Sequence, residues 1–215
     1  TACSDADGRR RPTLAASRSV ALENGRLFDE TKRLLKETDH RAAELAIINS
    51  VQEGLGSKLD AQAIYDLVGE KIRDIFDAQA VSIATYDWAT KTAYPRYGIE
   101  KGKRFEVPPT AIHEGGIAEH LQRTHQPLVV NDHLVERMSE CTGAAVVPGT
   151  EDARSLVYAP MIAGGEVTGV ISLQNIDHEN AFPEANVRLL TTLASSMSVA
   201  LENVRLFDQT KRLLK

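Results

Sequence analysis

The chain has 215 residues, with 25 Lys and Arg against 30 Asp and Glu and a formal net charge of −5. A 42% apolar fraction supplies a core and excludes disorder for the whole chain, and the acidic balance is the wrong sign for non-specific nucleic-acid binding. No apolar run exceeds four residues, so no membrane insertion and no signal-peptide core is expected, and the protein reads as cytoplasmic. Cys3 and Cys141 are too few for a disulfide framework or a four-cysteine zinc site.

In chain order, the first feature is a repeat. Residues 13–36 and 192–215 are identical at 20 of 24 positions, at a constant offset of 179. Residues 1–12 match 180–191 more weakly, through Ala2, Ala6 and Arg9. The chain therefore reads as one period of a tandem array. Residues 1–12 are the degenerate, disordered end of a preceding unit, and 13–38 a linker or signalling helix. Residues 39–206 form the domain, and 207–215 begin the next linker. The incoming helix is predicted to run on through Leu45, Ile48 and Val51 to a stop at Gly54–Gly56.

Asp60 can cap a second helix, with Ile64, Leu67, Val68, Ile72, Ile75 and Phe76 on its buried face. Alternation predicts a strand over 80–86, a turn over 87–91, a return strand over 92–98 and a short strand over 105–109. A short helix over 114–124, an extended run over 128–131 and a long loop over 134–154 with room for one helical turn follow. Gly164-Gly165 joins two apolar strands, 154–163 and 166–175, in a tight hairpin. The last helix begins near Pro183. With Leu190 at heptad position a, its a sites are Leu190, Met197, Val204 and Lys211, and its d sites Leu193, Ala200, Phe207 and Leu214. That seam predicts a homodimer held by parallel helices; the alternative is one amphipathic helix packed on its own domain. The N-terminal copy has Arg11, Arg18, Gly25 and Lys32 at the a sites and should fray.

This order of elements is an α+β arrangement, an antiparallel sheet flanked by helices with long helices at both ends. Three blocks carry a resemblance to the GAF domain family. The first is Gly115-Gly116-Ile117-Ala118-Glu119-His120 leading to Pro127-Leu128-Val129-Val130-Asn131-Asp132. The second is Ser155–Met161 followed by Gly165–Leu173. The third is Phe182, Leu189-Leu190, Leu193-Ala194 and Ala200-Leu201-Glu202-Asn203. The resemblance implies a sensory or regulatory module with no catalysis of its own and a small-molecule pocket between sheet and loops. It also implies a helical dimer interface relaying to an effector in the parent chain, such as a histidine kinase or nucleotide cyclase. The competing reading is a dimerisation and spacer domain that binds no ligand.

Chemistry-bearing motifs are sparse. Phosphate loops, a nucleophile elbow and a zinc-protease helix are absent from the sequence. His113, His120, His125 and His133 lie close in sequence without an i,i+4 pair, so solvated or hydrogen-bonded histidines are expected rather than a metal or haem. Bilin-binding relatives attach the chromophore through a cysteine commonly followed by histidine. Here Thr142 follows Cys141, so no covalent bilin is expected. Sulfoxide-reducing relatives use at least two pocket cysteines, against one here. Of the family's cyclic-nucleotide signature only Asn175 and Phe182 remain, and Phe182 is expected to plug the core. The polar groups expected to face a pocket are Tyr86, Arg96, Asn131, Asp132 and Tyr158, with mutual Arg–Asp or loop-capping contacts as the alternative.

Overall fold

The computed structural model describes residues 22–34, 61–76, 78–142 and 152–213. The expectations for residues 1–12, the incoming helix beyond residue 34, and the Asp60 cap lie outside these. The chain divides into two units, Thr1–Ala43 and Glu44–Lys215. In the first unit, residues 22–34 form helix α1, exposed along its length. Arg26 pairs with Glu23 and Glu30 one turn away on either side.

The second unit is built on a wholly antiparallel sheet. Its strands are β1 (Ala80–Asp87), β2 (Thr92–Glu100), β3 (Lys103–Arg104), β4 (Thr110–Ala111), β5 (Leu128–Val130), β6 (Ser155–Ala163) and β7 (Glu166–Asn175). They lie in the order β3-β2-β1-β7-β6-β5, with β4 also paired to β2. Its helices are α2 (Ala61–Ile75), α3 (Ile117–Thr124), α4 (Leu134–Thr142) and α5 (Glu184–Leu213). The β6–β7 hairpin turns through Gly164 and Gly165, both at positive φ as a two-residue primed turn demands.

Strand alternation sends Val81, Ile83, Val157, Ala159, Ile171 and Leu173 to one face of the sheet. There they pack with Ile64, Val68 and Ile72 of α2 and with Leu190, Leu193 and Met197 of α5. Phe182 fills this core at 1% exposure. The opposite face carries a smaller cluster, in which Leu121 of α3 and Met138 of α4 pack on Leu156, Tyr158, Val167 and Val170.

Four sequence expectations change. The buried face of α2 includes Tyr65 and Gly69, while Leu67 stays partly exposed, because Tyr97 of β2 packs directly on Gly69. Residues 105–109 make no strand: β3 ends at Arg104 and β4 starts at Thr110, since Pro108 and Pro109 have no N–H to give a ladder. The expected loop begins with the nine-residue α4, whose Leu134 and Met138 supply one apolar stripe four residues apart. The fourth change concerns the stripe of the last helix that was expected to pair with a second copy. Leu190, Leu193, Met197 and Ala200 are at most 2% exposed in the domain's own core, and Val204 packs against it. Of the expected sites Phe207 is exposed, as are Val199, Leu206 and Leu213, which lie outside that register. Leu214 lies outside the described residues.

Candidate functional site

The two faces of the sheet are filled differently because the two sets of β1 side chains differ in size. Val81 and Ile83 face the helices, while Ala80, Ser82 and Ala84 face the other way. With Gly98 of β2 and Ser172 of β7 beside them, these small residues leave a cleft of about 1280 Å³. Its wall is the stretch from Phe105 to Gly116 and the first turn of α3, with Val107, Ile112 and Ile117 contributing apolar surface.

The floor is polar and uncharged. The Ser82 and Ser172 hydroxyls are hydrogen-bonded to each other at 2.7 Å. Tyr86 and Tyr158 line the cleft, and among the described residues neither hydroxyl has a protein hydrogen-bond partner. Burial pushes the Tyr158 phenol up to about 12, and burial with neighbouring Tyr158 pushes Tyr86 up further. Both are neutral hydrogen-bond donors at ordinary pH. Trp88 holds Tyr86 in place: its ring meets Tyr86 edge-on at 5.7 Å, and its Nε1 donates to the Val167 carbonyl at 2.7 Å.

The sequence-predicted pocket residues separate. Tyr86, Arg96 and Tyr158 line the cleft. Arg96 does so from the β2 edge, at a β-bulge beside Pro95, where its Nε donates to Thr85 Oγ1 at 2.9 Å and its guanidinium stacks over Tyr94. Asn131 and Asp132 do not line it. Asn131 clips the start of α5: its Nδ2 donates to the Phe182 carbonyl and its Oδ1 accepts from the Phe182 N–H. Asp132 is paired with Arg137 at 2.9 Å. Asn175 caps the following turn, its Oδ1 accepting from the N–H groups of Asp177 and His178. Ser82, Ser172 and Gln174 were missed. The sequence signal for Ser82 is the small residue at every second position of 80–84, which leaves space beside the sheet without saying whether another element fills it.

The histidines do not converge. His113 is on the cleft wall, and His120 lines a separate groove of about 500 Å³ beside Trp88 and Lys91. His125 ends α3 in the left-handed region, and His133 precedes α4, 3.7 Å from Glu136. Among the described residues no three His, Cys, Asp or Glu side chains are grouped to hold a metal. The backbone of Cys141 is in the last turn of α4. No helix among the described residues is long and apolar enough to cross a membrane.

The chain is 21% identical over 182 residues to the formate hydrogenlyase transcriptional activator of Escherichia coli K12, an alignment spanning 84% of this chain and 26% of that one. It thus spans about a quarter of the length of the curated relatives it matches. In fold it is similar to a segment of a methyl-accepting chemotaxis protein, with a TM-score of 0.62, 18% identity and coverage of 75% of this chain and 98% of that one. It is also similar to free methionine-R-sulfoxide reductase from Neisseria meningitidis in complex with its substrate, with a TM-score of 0.58, 15% identity and coverage of 75% and 90%. The family model for the GAF domain matches residues 58–202, which take in the whole sheet, the cleft and most of α5, and the chain belongs to the GAF domain family.

Proposed function

We propose that this domain is a sensory or regulatory module that binds a small molecule in the cleft and relays its state through α5 to an effector in a longer parent chain, such as a histidine kinase or nucleotide cyclase. The observation that carries the reading is the asymmetry of the sheet. One face is covered by α2 and α5, while the other keeps a cleft over a floor of small residues and hydroxyls. The names of the relatives, a transcriptional activator and a chemotaxis protein, support a signalling role. The reading assigns no catalysis to this segment: Cys3 and Cys141 are its only thiols, and among the described residues the Ser82 and Ser172 hydroxyls in the cleft are bonded to each other rather than to a base. No covalent bilin is assigned either, because Thr142 follows Cys141.

The reading includes a homodimer, on a different seam from the Leu190–Leu214 register. Val199, Leu206 and Leu213 are exposed at heptad spacing, with Asn203 and Thr210 between them. In α1 the same places are held by Leu27, Leu34, Asn24 and Thr31, all exposed. The four differences between the two copies fall elsewhere.

Ser82→Trp tests sensing against spacing, because an indole on the floor occupies the cleft without touching α5. In the parent protein a sensor loses its response to stimulus while keeping basal output. An unchanged response overturns the binding reading and leaves a spacer.

A further inference from the structure

We propose that the molecule taken by this cleft is uncharged where it meets the sheet: a neutral lactam, amide or nucleoside rather than a carboxylate, a phosphate or an ammonium ion. The inference rests on the reading of the cleft as a binding site and adds the chemistry of its occupant.

Charge is sorted within the lining. The floor, from Ala80, Ser82 and Ala84 across to Ser172, Gln174 and Tyr158, carries no ionisable group other than phenols. A buried ion without a counter-ion costs several kcal/mol, so a floor of this kind selects against ligands that bring charge to it. The cations of the lining stand on β2 and β3, away from the floor. Arg104 is paired with Asp66 and lies over the Tyr97 ring, and Arg96 is held by Thr85 and Tyr94. Glu106, His113 and Glu114 are on the wall and exposed to water.

What the floor offers is hydrogen-bond donors. The Ser82–Ser172 bond uses one hydroxyl proton of two. The other has few protein acceptors to turn to, because the carbonyls of β1 and β7 are engaged in the ladder. The Tyr86 and Tyr158 hydroxyls add two more donors with no protein acceptor among the described residues, and both phenols stay protonated at neutral pH. The Gln174 amide can both donate and accept. Such a set matches carbonyl oxygens and ring nitrogens on a neutral molecule. A site built to donate to a partner rejects one that cannot accept, because its buried donors are then left unpaired.

Matched pairs that differ only in charge test this on the full chain: nicotinamide against nicotinate, guanosine against guanosine monophosphate, and riboflavin against its monophosphate. Binding is read by calorimetry and by thermal shift. The expected result is that the neutral member of at least one pair binds, with its charged partner at least about tenfold weaker, since the lost hydrogen bonds and uncompensated charge exceed about 1.4 kcal/mol. Tyr158→Phe should weaken the neutral ligand about tenfold, and Ser172→Ala should do the same if the tyrosine variant does not fold. A charged member binding as tightly as its neutral partner, or more tightly, overturns the charge assignment and leaves the cleft a binding site. No binding by any member at millimolar concentration overturns the proposal. If the Ser82→Trp parent protein also keeps its response, the binding reading falls with it.

Discussion

Tyr158 stands on β6 at a position facing the cleft, and its neighbours Leu121 and Leu156 leave a phenolate no solvation. Its pKa of about 12 lies above the ordinary tyrosine value of about 10, so the folded state holds the proton more tightly than the unfolded chain. The stability this gives is complete below about pH 10 and is lost as pH rises towards 12. Unfolding free energy should therefore be flat through neutral pH and fall over that alkaline window. Tyr158→Phe should reduce the slope there, as read from urea unfolding at several pH values, and an unchanged slope would mean that the phenol is solvated. Gly169 is constrained by contact rather than charge. A Cβ there would run into the Ala84 carbonyl oxygen and the Met161 side chain, across both neighbouring strands. Because one of these atoms is backbone, the collision cannot be relieved by a rotamer. Gly169→Ala should cost about 2–3 kcal/mol, visible as a lowered urea midpoint with unchanged m.

At the scale of elements, the loop between β7 and α5 is organised by buried polar side chains. Asn175 caps its first turn, Ser155 donates to the His178 carbonyl at 2.6 Å, and Asn131 clips Phe182 at its end. These contacts set where α5 begins and seat the Phe182 ring in the core. Asn131→Ala would leave the Phe182 N–H and carbonyl unpaired and should destabilise the domain by about 2 kcal/mol in thermal unfolding. Asp132→Ala, which removes only a half-exposed ion pair, should cost less than about 1 kcal/mol. Equal losses would show that the clip carries no special weight. Asn131 and Asp132 had looked alike in sequence as candidates for the pocket. That Asn131 meets the backbone and not the cleft depends on a partner 51 residues away.

At the scale of the molecule, α5 serves two masters along its 30 residues. It packs on α2 and the sheet as far as Val204, and beyond that point Leu206, Phe207 and Leu213 are exposed. On the proposed dimer, Leu206→Glu should give a monomer in sedimentation velocity, and because Leu206 is exposed the melting temperature should not change. Met197→Glu, on the face first expected to pair, should unfold the domain, because it places a carboxylate at a core position that is 1% exposed. Persistence of a dimer in Leu206→Glu would place the interface elsewhere.

Alternation of apolar side chains, the Gly164-Gly165 turn and the periods of the helices are local properties, and they determined β1, β2, the β6–β7 hairpin and the exit helix from sequence alone. The family blocks determined the order in which these elements assemble. The tertiary structure decided what depends on which surfaces meet. It turned the Leu190–Ala200 stripe inward onto the sheet, because an apolar stripe fits a sheet as well as it fits a second helix and its period does not say which. It also decided that the small residues of β1 floor a cleft and are not covered. A small side chain permits both outcomes, and only the placement of the wall segment and α3 selects between them.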